Sequence, residues 1–150
     1  MFQAPQRRVT RTFLHCSASE VDLTGKELVD EIRAWHMDPN RPGGPFNDIG
    51  YHFVIDKLGQ RLTGRDLERQ PAAQAPHNAA TLAICVHGLV FSSDWYMSSQ
   101  ADGVRQLCLE INLAYSGVMA FWPHNAVANK ACPVFDEVRL LDLDRWRRMP

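Results

Sequence analysis

The chain has no apolar run near the ~20 residues that a bilayer-spanning helix requires, which excludes an integral membrane segment. It has no excess of one charge: 16 basic residues stand against 17 acidic ones, for a formal net charge of -1. Without a strong field of one sign, neither nucleic acid nor a membrane surface is indicated as a partner. The opening MFQAPQRRVTRTF lacks the apolar core and small-residue cleavage site of a secretory signal, so synthesis in the cytoplasm is expected. Cysteine is scarce. Cys16, Cys85, Cys108 and Cys132 are scattered rather than spaced as a disulfide framework, and reduced thiols are the expectation. No internal repeat, low-complexity tract or linker interrupts the chain, so one domain over residues 1–150, with its core from about 9 to 146, is the simplest account.

The 150 residues, 45% of them hydrophobic, suffice for a sizeable core. Residues 9–16, VTRTFLHC, are β-branched and aromatic and read as a strand. Thr24, with Glu27 three residues on, opens a helix as a capping box, and Leu28, Ile32 and Trp35 follow at helical spacing toward His36. MDPNRPGGPFND, with Pro39, Pro42 and Pro45, is a surface loop. YHFVID (51–56) and QRLTG (60–64) flank a turn and predict a hairpin. The apolar run from Leu82 to Val86 suits a central strand buried on both faces. Ser98 or Ser99 caps a helix whose stripe is Val104, Leu107, Cys108, Ile111 and Tyr115. A strand at about Val118–Trp122 and a last helix at about Val138–Trp146 complete the chain. Strands and helices interleave, which gives an α/β or α+β class around one mixed sheet.

The chemistry concentrates in two distant segments, FLHCSAS and PHNAVANKACPVFD. His15, His124 and Cys132 would make a borderline-soft ligand set suited to Zn²⁺, with a fourth tetrahedral position open for water. Strand alternation lets only one of His15 and Cys16 face such a centre, and His15 is the candidate. Spacing alone reads Cys132 more readily as a buried free thiol. Lys130, two residues before Cys132, would place positive charge near the same point, or is a solvated surface lysine. Tyr51 follows Gly50, and alternation puts it on one face with Phe53 and His52 on the other; its phenol reaches a metal site or simply points to water.

In order along the chain, FLHCSAS, IRAWH, DIGYHFVID, GRD and ACPVFD resemble the type 2, zinc-dependent N-acetylmuramoyl-L-alanine amidases. That family includes phage amidase-type lysozymes and animal peptidoglycan recognition proteins. The resemblance covers about Val9 to Asp136 and is greatest to single-domain phage or prophage endolysins. It implies one mixed sheet with helices on both faces and a zinc groove on one of them. It implies one zinc ion on His15, His124 and Cys132, with Tyr51 and Lys130 as the catalytic pair. The implied substrate is peptidoglycan, cut at the amide between N-acetylmuramic acid and L-alanine. The implied place of action is the periplasmic wall, reached after release that depends on a holin.

Some positions depart from the family pattern. A histidine common after the GR motif is replaced within RQPAAQAPHN by alanines or Gln74, with His77 a few residues late. Phe46 stands where tryptophan is common, in a loop richer in proline, which bears on the groove's shape. His87 reads as structural. Two other functions compete: a peptidoglycan-binding module without catalysis, against which Cys132 argues, and a regulator acting through a protein partner, for which no surface is legible. The terminal RWRRMP reads as a solvated helix end.

Overall fold

A computed structural model describes all of residues 1–150. Strand β1 (Arg11–Cys16) is followed by helix α1 (Gly25–Met37), the hairpin β2 (Phe53–Ile55) and β3 (Arg61–Thr63), and strand β4 (Thr81–Val86). Helix α2 (Ser99–Ala114), strand β5 (Ala120–Pro123) and the short helix α3 (Glu137–Leu141) complete the order. The five strands form one sheet in the order β3-β2-β4-β1-β5. The pairs β2–β4, β4–β1 and β1–β5 are parallel, and only the hairpin partner β3 is antiparallel. The sheet is therefore mixed, as expected.

Parallel strands need crossovers, and the crossovers cover both faces. On one face, Val104, Leu107, Cys108 and Ile111 of α2 pack with Leu14, Ile84, Val86 and Phe121 in the larger core, where Phe2 also packs. On the other, Leu28, Val29 and Ile32 of α1 pack with Ile49, Val54 and Cys85. The central strand β4 is fully buried, as its unbroken apolar run predicts.

Local signals held unevenly. Ser98 caps α2, its hydroxyl accepting the Ala101 N–H at 3.2 Å. The Thr24 capping box does not form: Thr24 occupies the N-cap position without a side-chain bond. The Gly25 N–H donates instead to Asp56 Oδ2 at 3.0 Å, so the turn of the hairpin serves as the cap. The last helix stops at Leu141 rather than near Trp146, because Asp142 takes a left-handed conformation with φ 53°. Beyond it the chain lies along the free edge of β5: the Phe121 N–H donates to Arg147 O at 2.8 Å, and Arg147 Nε donates to Phe121 O at 3.1 Å. An unpaired sheet edge offers backbone hydrogen bonds that a continued helix could not take up. The terminal basic cluster is thus not a helix end, and Arg147 is ion-paired to Glu137.

Two glycines are required by close approach. A Cβ on Gly103 of α2 would lie 2.4 Å from Gly59 O in the hairpin turn. A Cβ on Gly50 would lie 2.1 Å from Ala72 O, and this contact fixes the chain just before Tyr51.

Candidate metal centre

His15 lies near the carboxyl end of β1, and His124 immediately follows the carboxyl end of β5, its parallel neighbour. That adjacency brings together two residues more than a hundred positions apart. The rings stand 4.6 Å apart between centroids. A turn at His124–Ala126 then reverses the chain, and the Asn125 N–H donates to Cys132 O at 2.7 Å, which returns Cys132 to the same point. One ligand atom from each of His15, His124 and Cys132 lies within 4.8 Å of the other two.

The donor chemistry fits a tetrahedral ion. Bonds of about 2.0–2.1 Å to nitrogen and about 2.3 Å to sulfur place the two donors roughly 3.6 Å apart. His15 Nδ1 and Cys132 Sγ are 3.9 Å apart. Burial, with the neighbouring His124 next, pulls His15 down to about 3, so its imidazole is neutral at neutral pH with a lone pair to give. His124 is lowered too, by burial first and then by the charge of Lys130. The Cys16 and Cys132 thiols share a hydrogen bond that, without a metal, lowers Cys16 to about 6 and, with burial, raises Cys132, so one proton stays between the two sulfurs. The Cys16 backbone N–H donates to Cys132 Sγ at 3.3 Å, a contact that favours negative charge on Cys132.

Tyr51 precedes β2 rather than belonging to it, so strand alternation does not govern its direction. Phe53 packs into the larger core, whereas Tyr51 packs against the smaller one, on the side of α1; the expectation that they share a face fails for this reason. The Tyr51 ring is 5.2 Å from that of His15 and 5.2 Å from that of His36. Burial first, then the thiols of Cys85, Cys132 and Cys16, push its phenol well above the usual tyrosine range, so it keeps its proton. His36 holds this corner: its Nδ1 accepts the Gly50 N–H at 2.8 Å. Burial and the charges of Arg41 and Arg65 lower His36 to about 4.

Lys130 is exposed and shares with His124 a groove of about 410 Å³, bounded also by Arg41, Phe46, Ala72 and Asn78. The proline-rich loop therefore forms one wall, with Arg41 stacked over the Phe46 ring at 3.8 Å. Larger hollows of about 610–750 Å³ lie elsewhere and contain none of His15, His124 and Cys132.

Among the remaining candidates, His87 is buried with both ring nitrogens engaged, by the Ser17 hydroxyl and Val21 O, each at 2.8 Å. It ties β4 to the loop after β1 and is structural, as read. Cys85 and Cys108 are buried thiols that desolvation raises far above the usual range. The side chain hydrogen-bonded to His15 is that of Gln74, buried and 2.9 Å from His15 Nε2 through its Oε1. The family pattern left this place to alanines or Gln74, and only the fold selects the glutamine.

No model of a known protein family matches the chain. Among solved structures, the Ph2119 endolysin of Thermus scotoductus MAT2119 bacteriophage Ph2119 superposes with a TM-score of 0.74 at 20% identity, over 94% of this chain and 88% of that one. The N-acetylmuramoyl-L-alanine amidase LysC of Clostridium intestinale URNW superposes with a TM-score of 0.68 at 20% identity, over 91% and 85%. The architecture is thus that of the amidase and peptidoglycan-recognition fold. In sequence, the chain is 31% identical over 150 residues to the endolysin of Escherichia phage T7, covering 96% of this chain and 89% of that relative. The chain belongs to the phage endolysin family of that relative, on a fold it shares with N-acetylmuramoyl-L-alanine amidases.

Proposed function

We propose that this protein binds one zinc ion through His15, His124 and Cys132 and hydrolyses the amide between N-acetylmuramic acid and L-alanine in peptidoglycan. The convergence of two neutral imidazoles and the Cys132 sulfur on one point carries the reading. Two neutral ligands and one anionic ligand would leave a divalent ion with a net charge near +1. The chemistry such an ion supplies is Lewis-acid activation of water and of the scissile carbonyl near pH 7.

The chain's own residues do the rest. The groove beside His124 receives the stem peptide and its amide. Lys130 places an ammonium where the carbonyl oxygen gains negative charge during attack. Tyr51 keeps its phenolic proton and donates it as a hydrogen bond to water or to the carbonyl. His36, by fixing Gly50, holds the Tyr51 backbone in register with His15. The chain acts as one unit over residues 1–150, a reading supported by Phe2 and Leu143 packing into the same larger core. No helix is long and apolar enough to cross a membrane. Its place of action is the bacterial wall, reached after release through a holin-type lesion.

The test is metal analysis of freshly purified protein, followed by chelation and refilling. One zinc per chain is expected, with activity lost on chelation and restored by zinc. The product should carry new amino termini of alanine and no new reducing sugar ends. Full activity in metal-free protein, or reducing ends as the product, would overturn the proposal.

A further inference from the structure

We infer that Gln74 is a positioning residue that sets which nitrogen of His15 faces the metal; the inference rests on the zinc reading above. The hydrogen-bond chain that fixes the orientation of Gln74 starts at a group that can only accept. Asn78 O is a backbone carbonyl and only accepts, so the Thr81 hydroxyl, 2.8 Å away, spends its one proton there. Thr81 Oγ1 must then accept from Gln74, 2.8 Å away, which requires the amide nitrogen of Gln74 at that end. The His77 carbonyl, 3.4 Å from the same nitrogen, agrees with that orientation. The opposite end of the side chain is therefore the carbonyl oxygen Oε1, and it faces His15 Nε2 at 2.9 Å. An amide oxygen only accepts, so His15 Nε2 carries the ring proton. Its lone pair is left on Nδ1, the nitrogen that lies 3.9 Å from Cys132 Sγ.

The support is itself held. Asn78 Oδ1 accepts the backbone N–H of Ala73 at 3.1 Å and of Gln74 at 2.9 Å, which clamps the loop that presents the amide. Gln74 and Thr81 are both buried, so neither end of the amide can exchange its partner for bulk water without opening the fold. Partners that orient a ligating imidazole contribute about 10–100-fold to metal affinity. In many family members a histidine falls near this place. Here a neutral amide does the work through its carbonyl, and the orientation of that carbonyl is dictated from the start of β4.

The experiment measures zinc affinity by chelator competition with zinc ions alone, together with the ¹⁵N resonances of the His15 ring. Gln74→Leu should weaken zinc binding about 10–100-fold while circular dichroism shows an intact fold. Gln74→Glu keeps an acceptor and should bind zinc at least as tightly as the wild type. In wild-type protein before zinc is added, the His15 proton should reside on Nε2; in Gln74→Leu both tautomers should be populated. Unchanged affinity in Gln74→Leu, or a wild-type ring protonated on Nδ1, would overturn the inference; the second readout stands even if Gln74→Leu fails to fold. A His15→Ala variant separates the two readings. If it binds zinc as the wild type does, the metal centre itself is wrong, whatever Gln74 does.

Discussion

His52 should make the fold acid-labile in a range where most carboxylates are still ionised. The side chain is buried between the Tyr51 corner and β4, and both nitrogens are committed: Nδ1 accepts the Ala83 N–H at 3.1 Å, and Nε2 donates to Arg69 O at 2.8 Å. Protonating Nδ1 would set two donors against each other inside the sheet. Burial, and after it the positive charges of Arg7 and Arg65, hold the group at about 4, against the opposing pull of the Arg69 carbonyl. The Arg7 guanidinium lies 3.3 Å from Nε2. Because the unfolded value is near 6.5, the unfolded chain binds more protons between pH 6.5 and 4. The contribution is therefore complete above about pH 6.5 and drains as the pH falls. The shift corresponds to about 3 kcal/mol in total, of which about 1.4 kcal/mol is lost by pH 5.5.

Urea unfolding at pH 7.5 and 5.5, on the wild type and on His52→Gln, isolates this group from the other histidines. The variant removes the titration but keeps a donor and an acceptor. The stability gap between the two proteins should shrink by about 1.4 kcal/mol on going to pH 5.5. A gap that stays the same at both values would refute the assignment of a neutral, Nδ1-accepting His52.

Other outcomes follow from the same geometry. Gly50→Ala should lower stability by about 1–3 kcal/mol in denaturant unfolding, because its Cβ would meet Ala72 O at 2.1 Å; a neutral result would mean that this corner relaxes freely. Ser98→Ala should cost about 1 kcal/mol in thermal unfolding, whereas Thr24→Ala, which loses no cap bond, should stay within about 0.5 kcal/mol; equal costs would contradict the two cap geometries. Lys130→Ala should reduce kcat by about 10²–10³ with zinc content unchanged, and Lys130→Arg should recover part of the loss. Loss of zinc from Lys130→Ala would instead show a structural role.

The local signals in the chain were enough for the sheet's centre and for α2. The unbroken apolar run ending at Val86 and the stripe from Val104 to Ile111 each bury a face on their own, so periodicity alone locates them. The residues His15, His124 and Cys132 were legible as chemistry, because imidazole and thiolate are uncommon groups and their family motifs occur in order. Their meeting was not legible from spacing, which left Cys132 open as a free thiol. It depends on β1 and β5 being parallel neighbours, a pairing between residues more than a hundred positions apart. Tyr51 was placed on the wrong side by alternation, since the strand begins two residues later and the Gly50–Ala72 contact turns the chain first. The early end of α3 and the transfer of the Thr24 cap to Asp56 have the same origin: a partner from elsewhere in the fold outbid the local one. Gln74 is the extreme case. The family pattern offers it only as one of several residues in the place of a common histidine, and packing alone sets its two ends against the backbone-anchored Thr81 hydroxyl and the His15 imidazole.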